Sequence, residues 1–189
     1  MRSCVVTNFD EALLRSRRLD PAAPYPLIQQ ALRIALYDEY AAHAYYAGVV
    51  AAFGPAPPFV NIVDAEVRHI EALGRLCDRY GVPRPYDPFP AETEVAPTWR
   101  ANLEQGVTAE IANVQLYDHL LAATAAPDLR QVFLNLQAAS RDNHLPAFAR
   151  ALGAALDRES WHARRGLGAA AAQVRHGPLT EAMERGLAM

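Results

Sequence analysis

Three glutamates stand at positions where helical periodicity places apolar side chains. Alanine, leucine, isoleucine and valine recur around them at steps of three and four residues. Glu39, Glu66 and Glu110 each fall on one of these apolar stripes. An ionised carboxylate inside an apolar core is costly unless a positive charge lies beside it. No arginine shares these faces, since Arg68 and Arg75 fall off the stripe that contains Glu66. A divalent metal ion is therefore the expected counter-ion.

Histidines on the same faces complete a candidate set of metal ligands. A Glu-x-x-His spacing lets a carboxylate and an imidazole on one helix face bind one ion, and a second histidine lies on the apolar face of a later segment. The predicted ligands are Glu39, Glu66, His69, Glu110 and His144. Iron or manganese suits mixed carboxylate and imidazole ligands, and zinc binds them as well. Three carboxylates permit a site for two ions but do not require one.

Four long helices are predicted to position these residues, because no segment alternates with the two-residue period of a strand. Proline or glycine ends each segment, and the predicted ranges are 27–53, 58–80, 97–124 and 127–152. Short links join the helices within each pair, whereas the connection between the pairs, residues 81–97, contains five prolines. The pattern predicts an all-α fold, a four-helix bundle with a long crossover between helices two and three.

The predicted bundle occupies residues 27–153 of the chain. We expect an irregular N-terminal arm at residues 1–26. We expect a C-terminal tail at residues 154–189, either flexible or with a short helix near residues 179–187.

The two halves of the predicted bundle resemble each other. Tyr46 follows Glu39 by seven residues, and Tyr117 follows Glu110 by the same interval. A Phe-x-Asn sequence also opens the run that leads to His69 in the first half and the run that leads to His144 in the second. Two such hairpins about a pseudo-twofold axis would bring equivalent positions together at the centre. Both tyrosines are expected to pack inside with their hydroxyls on a polar partner.

The chain resembles the ferritin-like superfamily of carboxylate-bridged di-iron bundles, which includes rubrerythrin and bacterioferritin, and in detail the branch called domain of unknown function 2202. The resemblance covers residues 27–152. Its motifs are Asp38-Glu39-Tyr40, Glu66 to His69, Glu110 and Asn143-His144-Leu145. It implies two iron ions and a non-haem di-iron oxidoreductase of ferroxidase or peroxide-reducing type. The implied oxidant is dioxygen or peroxide.

The second half departs from the family pattern, which has a Glu-x-x-His on both the second and the fourth helix. Counting back three residues from His144 gives Arg141, and alignment of the two halves gives Ser140 instead. Neither side chain is a carboxylate, so the fourth acidic ligand is missing.

The same segment is one residue longer than its counterpart and is followed by Pro146. An extra residue and a proline together predict a π-bulge or kink near residues 141–144. A further hypothesis is that such a bulge turns Asp142 inward as a substitute for the fourth carboxylate.

The incomplete motif leaves two other functions open. The chain could be a non-catalytic helical scaffold with a degenerate site, or it could hold a single zinc, manganese or iron ion.

No Cys-x-x-Cys pair occurs, so a rubredoxin-like electron-transfer domain is not expected. Of the adjacent acids Asp38 and Glu39, we expect Asp38 to be solvated. His43 is expected to be a core histidine or one that contacts a ligand, and not a metal ligand itself.

Composition excludes several classes of partner. Eighteen basic and twenty-one acidic side chains give a formal charge of −3, unlike a nucleic-acid-binding protein. The most apolar run, residues 47–60, is broken by Gly54 and three prolines, so it does not predict a membrane span. The two cysteines suit a reducing compartment, and we expect a cytoplasmic protein. A bundle of this length often dimerises, so a homodimer is permitted.

Overall fold

The computed structural model describes residues 8–90 and 93–157, and the described residues form helices and connections without any strand. The α-helices are α1 (Glu11–Ser16), α2 (Leu27–Phe53), α3 (Phe59–Tyr80), α4 (Trp99–Ala122) and α5 (Pro127–Ala138). A π-helical turn, Ala139–His144, follows α5, and residues 145–151 are α-helical again. The predicted all-α class is confirmed.

The chain divides into two compact units, Met1–Ala151 and Leu152–Met189. Residues 152–157, the described part of the second unit, are helical. The remainder of the predicted tail, with its short helix near residues 179–187, lies outside the described residues.

Local sequence sets the ends of the long helices. Thr98 caps α4, because its side-chain oxygen accepts a 3.1 Å hydrogen bond from the amide of Ala101. Gly81 ends α3 in the left-handed conformation, with φ of 62°. Pro127 stands in the first turn of α5, where an amide hydrogen has no helical partner to lose. The predicted boundaries of the first three long helices agree with the structure to within two residues.

Helix α2 is the centre of the packing and contacts α1, α3 and α4. Helix α4 also packs against α5 and the π-helical turn, and α3 packs against α5. Within the ranges described, no helix combines the length and apolar character needed to cross a membrane.

Two apolar layers lie along these helices, with polar residues between them. One layer surrounds Leu36 of α2 and Leu73 of α3. The other contains Tyr46, Phe59 and Phe148, whose rings lie 5.0–5.8 Å apart by centroid. Since Glu39 follows the first layer along α2 and Glu66 precedes it along α3, the acidic positions fall between the two layers.

The N-terminal arm is more ordered than the sequence indicates. It contains α1, so the prediction of an irregular arm is wrong for Glu11–Ser16. Both carboxylate oxygens of Asp10 accept 2.6 Å hydrogen bonds from the buried guanidinium of Arg33 on α2. The same guanidinium lies 4.1 Å from the ring centroid of Phe9. A charged pair at long sequence separation, which has no periodic signature, fixes the arm to α2.

Candidate metal centre

Three carboxylates from three helices meet in the interior. Glu39 on α2, Glu66 on α3 and Glu110 on α4 have exposed fractions of 1%, 3% and 3%. Each belongs to the inward stripe of its helix, as the periodicity predicts. Acids this deeply buried are uncommon unless they are paired or bind a metal.

The histidine of the Glu-x-x-His motif lies against two of these carboxylates. Nδ1 of His69 is 2.8 Å from Oε2 of Glu66 and 3.3 Å from Oε2 of Glu39. The three-residue spacing on α3 places the glutamate and the histidine on one helix face. Glu39, Glu66 and His69 therefore form one group that could hold a metal ion.

The second histidine reaches the interior from the π-helical turn. Nδ1 of His144 is 3.4 Å from Oε1 of Glu66 and 3.5 Å from Oε2 of Glu110. This nitrogen is buried and has no hydrogen-bond partner among the described residues. Glu66, Glu110 and His144 form a second group that could hold a metal ion. All five predicted ligands are thus brought together.

Glu66 is common to both groups and divides its oxygens between them. Its Oε2 lies against His69 and its Oε1 against His144. The two imidazole rings are stacked, with centroids 5.6 Å apart and planes inclined by 24°. Within each group the possible ligand atoms lie within 4.8 Å of one another. Each group could offer three ligand atoms to a metal ion, and Glu66 is shared between the two groups.

Protonation of the metal-free centre follows from burial and mutual contact. Burial raises the pKa of Glu66 well above its ordinary value, and the charge of Glu39 raises it further. Burial opposes ionisation of Glu39, but hydrogen bonds with His69, Glu66 and Tyr117 lower its pKa. Burial also opposes the charge of His69, yet contact with both carboxylates raises its pKa to about 10. Near neutral pH, an imidazolium therefore stands where a metal ion would supply positive charge.

Two tyrosines hold the outer glutamates in place across the helix pair. Tyr46 on α2 donates a 2.7 Å hydrogen bond to Oε1 of Glu110 on α4. Tyr117 on α4 donates a 2.6 Å hydrogen bond to Oε1 of Glu39 on α2. Burial, followed by the adjacent carboxylate, raises the pKa of each tyrosine well above its ordinary value, so both hydroxyls keep the proton that they donate. The expectation of packed tyrosines with a polar partner is confirmed.

No carboxylate of the π-helical turn enters the centre. The predicted π-bulge is confirmed, but the hypothesis that Asp142 turns inward is wrong. Asp142 is exposed and accepts two 2.8 Å hydrogen bonds from Arg141. Ser140 faces inward instead and donates to Oδ1 of Asn113 at 2.8 Å. A π-helical turn contains about one residue more than an α-helical turn. This extra residue returns His144 to the interior and leaves Asp142 in solvent.

Asp38 is a polar residue of the site that the sequence analysis did not assign. The expectation that it is solvated is wrong, because its side chain is only 12% exposed. It lies 2.7 Å from a guanidinium nitrogen of Arg17 and accepts a 3.1 Å hydrogen bond from Asn113. Burial raises the pKa of Asp38 to about 6, although Arg17 opposes the shift. Arg17 comes from the arm, and no spacing in the sequence connects the two. His43 is half-buried and belongs to neither ligand group.

A cavity of about 240 Å³ opens beside the centre between α2 and α4. Its walls include Asp38, Tyr46, Glu66, Glu110 and Asn113. Two of the candidate ligands are therefore reachable by a small molecule.

Comparison with known proteins gives a fold and no function. The chain matches no protein-family model and no curated protein. It is similar in structure to hypothetical protein MJ0754 from Methanococcus jannaschii DSM 2661, with a TM-score of 0.61 and 22% identity. The match covers 71% of this chain and 85% of the other. At this identity the likeness concerns the arrangement of helices alone.

Proposed function

We propose that the protein is a ferritin-like four-helix bundle that holds two metal ions, preferably iron, as a non-haem di-iron oxidoreductase of ferroxidase or peroxide-reducing type. The observation that carries the proposal is the position of Glu66 between His69 and His144, with one oxygen directed at each. A carboxylate in this position is suited to bridge two ions, and inward glutamates with Glu-x-x-His motifs build such centres in helical bundles.

The chain's own chemistry fits a metal in both groups. Nδ1 of His144 is buried and has no hydrogen-bond partner among residues 8–90 and 93–157, and an unsatisfied buried polar atom costs about 1–3 kcal/mol. Ligation would satisfy this nitrogen, and positive charge would balance Glu39, Glu66 and Glu110. Mixed carboxylate and imidazole ligands favour iron or manganese, with zinc as a competitor.

Iron bound here would supply redox chemistry, in which dioxygen or peroxide oxidises Fe(II). The protein's own residues orient the metal ligands and give the oxidant access to them. Tyr46 and Tyr117 orient the carboxylates of Glu110 and Glu39. The cavity of about 240 Å³ is far larger than either oxidant and leads to Glu66 and Glu110. The two cysteines do not form a Cys-x-x-Cys pair of the kind that holds a rubredoxin-like iron, so the proposed source of electrons is a separate donor.

Metal analysis of the purified protein tests the centre. We expect about two equivalents of iron after growth in replete medium, and strong loss of metal in Glu66→Ala and His69→Ala. His119→Ala is the matched control, because His119 is an exposed histidine on α4 outside both groups. One equivalent would favour the mononuclear alternative. Less than about a tenth of an equivalent of iron, manganese and zinc together would contradict the proposal.

Oxygen addition to the anaerobically loaded protein tests the reaction. A ferroxidase oxidises Fe(II) faster than the same buffer without protein, whereas a scaffold with a degenerate site does not. Glu66→Ala should reduce the rate to that of buffer, and His119→Ala should leave it unchanged. Oxidation at the buffer rate by fully loaded wild-type protein, with oxygen and again with peroxide, would exclude the proposed activity while leaving metal binding intact.

A further inference from the structure

A second and larger cavity lies on the histidine side of the candidate centre. It has a volume of about 700 Å³, within the range of small-molecule binding sites. One wall is α3, which contributes residues at steps of three and four from Asn61 to His69, together with Pro57 and Pro58 before the helix. The other wall is the segment 139–151, which contributes a similar series. The polar residues that line it are Asn61, Arg68, His69, Asn143, His144 and Arg150.

The arginines that line the cavity, Arg68 and Arg150, give its surface a basic character. None of its lining residues is acidic, in contrast to the smaller cavity, whose walls include three acids. Arg68 and Arg150 are both exposed, and neither forms an ion pair with any residue in the described ranges. Most of the other arginines in those ranges pair with a carboxylate, as Arg79 does with Asp128 at 2.9 Å. Two unpaired guanidinium groups on one concave surface favour an anion.

The histidines add donors to the same surface. Nδ1 of His69 and Nδ1 of His144 face the carboxylates of the centre. Nε2 therefore lies on the other side of each ring, and both rings line the cavity. No residue of the described ranges accepts a hydrogen bond from either Nε2. A metal-bound histidine almost always donates this second N–H to a carboxylate, a carbonyl or water, and here the described part of the chain supplies no such acceptor.

We propose that this cavity binds a small organic anion, whose carboxylate or phosphate group pairs with Arg68 and Arg150. Ile62, Ala65 and Ala147 give the walls apolar surface for the body of the ligand, and the volume exceeds that of an inorganic anion. The bound anion also accepts hydrogen bonds from the histidine rings. This last contact rests on the proposed metal centre, whereas the pairing with the arginines does not.

Fluorine NMR on the metal-free protein tests the proposal with three probes of similar size: 4-fluorobenzoate, 4-fluorophenyl phosphate and uncharged 4-fluorobenzamide. We expect saturable binding of at least one anion, and binding of the amide at least about tenfold weaker, as expected for a charge-assisted contact. Benzoate and phenyl phosphate distinguish a carboxylate ligand from a phosphate ester. Failure of both anions to bind, or equal binding of the amide, would overturn the proposal.

A pair of double variants locates the binding. Arg68→Gln with Arg150→Gln should weaken the favoured anion at least about tenfold. Arg75→Gln with Arg79→Gln removes two exposed arginines of α3 outside the cavity and should change nothing. Unchanged binding in the first double variant would place the anion elsewhere. Both double variants should keep the metal content of the wild type, so loss of anion binding is distinguishable from failure of the proposed metal centre.

Discussion

The hydroxyl of Tyr117 donates its 2.6 Å hydrogen bond to Glu39, a residue of the neighbouring helix, and not to the glutamate seven residues earlier on its own helix. Tyr46 makes the equivalent contact with Glu110 in the opposite direction. The two bonds join α2 and α4 by a pair of reciprocal contacts. Each outer carboxylate is thus held by the helix that supplies the other one.

Loss of the Tyr117 hydroxyl should destabilise the metal-free protein. Tyr117→Phe leaves the buried carboxylate of Glu39 without one donor, which costs about 1.5–3 kcal/mol for a hydrogen bond to a charged group. Tyr45→Phe is the matched control, because Tyr45 donates at 2.7 Å to the neutral side chain of Asn102 and should cost about 0.5–1.5 kcal/mol. Urea unfolding measures both. A smaller loss in Tyr117→Phe than in Tyr45→Phe would contradict this account.

The sequence predicts the members of this network but not its connections. Helical periodicity identifies the inward faces, and it places Glu39, Tyr46, Glu110 and Tyr117 in the interior because apolar residues recur around them. Periodicity within one helix contains no information about which residue of another helix lies opposite. The crossed pairing depends on the relative height of α2 and α4, which only the packed structure defines.

Metal binding should release protons. In the metal-free centre the pKa of His69 is about 10, so its imidazole holds a proton near pH 7, and burial raises the pKa of Glu66 as well. Metal ligation requires the deprotonated forms. We therefore expect at least the proton of His69 to leave when the centre fills, and affinity to increase as the pH rises toward 10.

Calorimetric titration with Zn²⁺ measures this release, in buffers that differ in their ionisation enthalpy. The apparent binding enthalpy should change with the buffer in the wild type. His119→Ala should behave as the wild type. An enthalpy independent of buffer would show that the ligands are already deprotonated.

The sequence predicts the π-helical turn but not the orientation of its side chains. One extra residue and Pro146 predict a wide turn, and Ala139–His144 has it. The extra residue and the proline do not determine which side chain of the turn faces inward. The ion pair between Arg141 and Asp142, formed by adjacent residues, stabilises the outward position of the acid. Likewise, Arg17 reaches Asp38 from an arm that lacks any periodic pattern.

The buried pair that joins the arm to α2 should matter more than an exposed pair of the same chemistry. Arg33→Ala leaves the buried carboxylate of Asp10 without its partner, and removal of one member of a buried pair costs about 3–5 kcal/mol. Arg79→Ala removes an exposed partner of Asp128 and should cost at most about 1 kcal/mol. Thermal and urea unfolding compare the two. Equal losses of unfolding free energy in the two variants would show that the buried pair between the arm and α2 stabilises the protein no more than an exposed pair.

A close approach of Phe148 to Gly106 makes this glycine of α4 necessary. A Cβ at position 106 would lie 2.5–2.7 Å from three ring carbons of Phe148. The ring is fully buried, with Tyr46 and Phe59 centroids 5.4 and 5.0 Å away, so it has little room to move. Gly106→Ala should therefore destabilise the protein by about 1–3 kcal/mol, although alanine is the better helix former.

The control for this steric effect is Gly153→Ala, since a Cβ at Gly153 meets no atom within 4 Å. Helix propensity then acts alone and should stabilise the protein by up to about 1 kcal/mol. In the double variant Gly106→Ala with Phe148→Leu, the smaller side chain relieves the clash, so its loss should be less than the sum of the two single losses. Additive losses, or a Gly106→Ala variant as stable as the wild type, would show that the ring does not require glycine at this position.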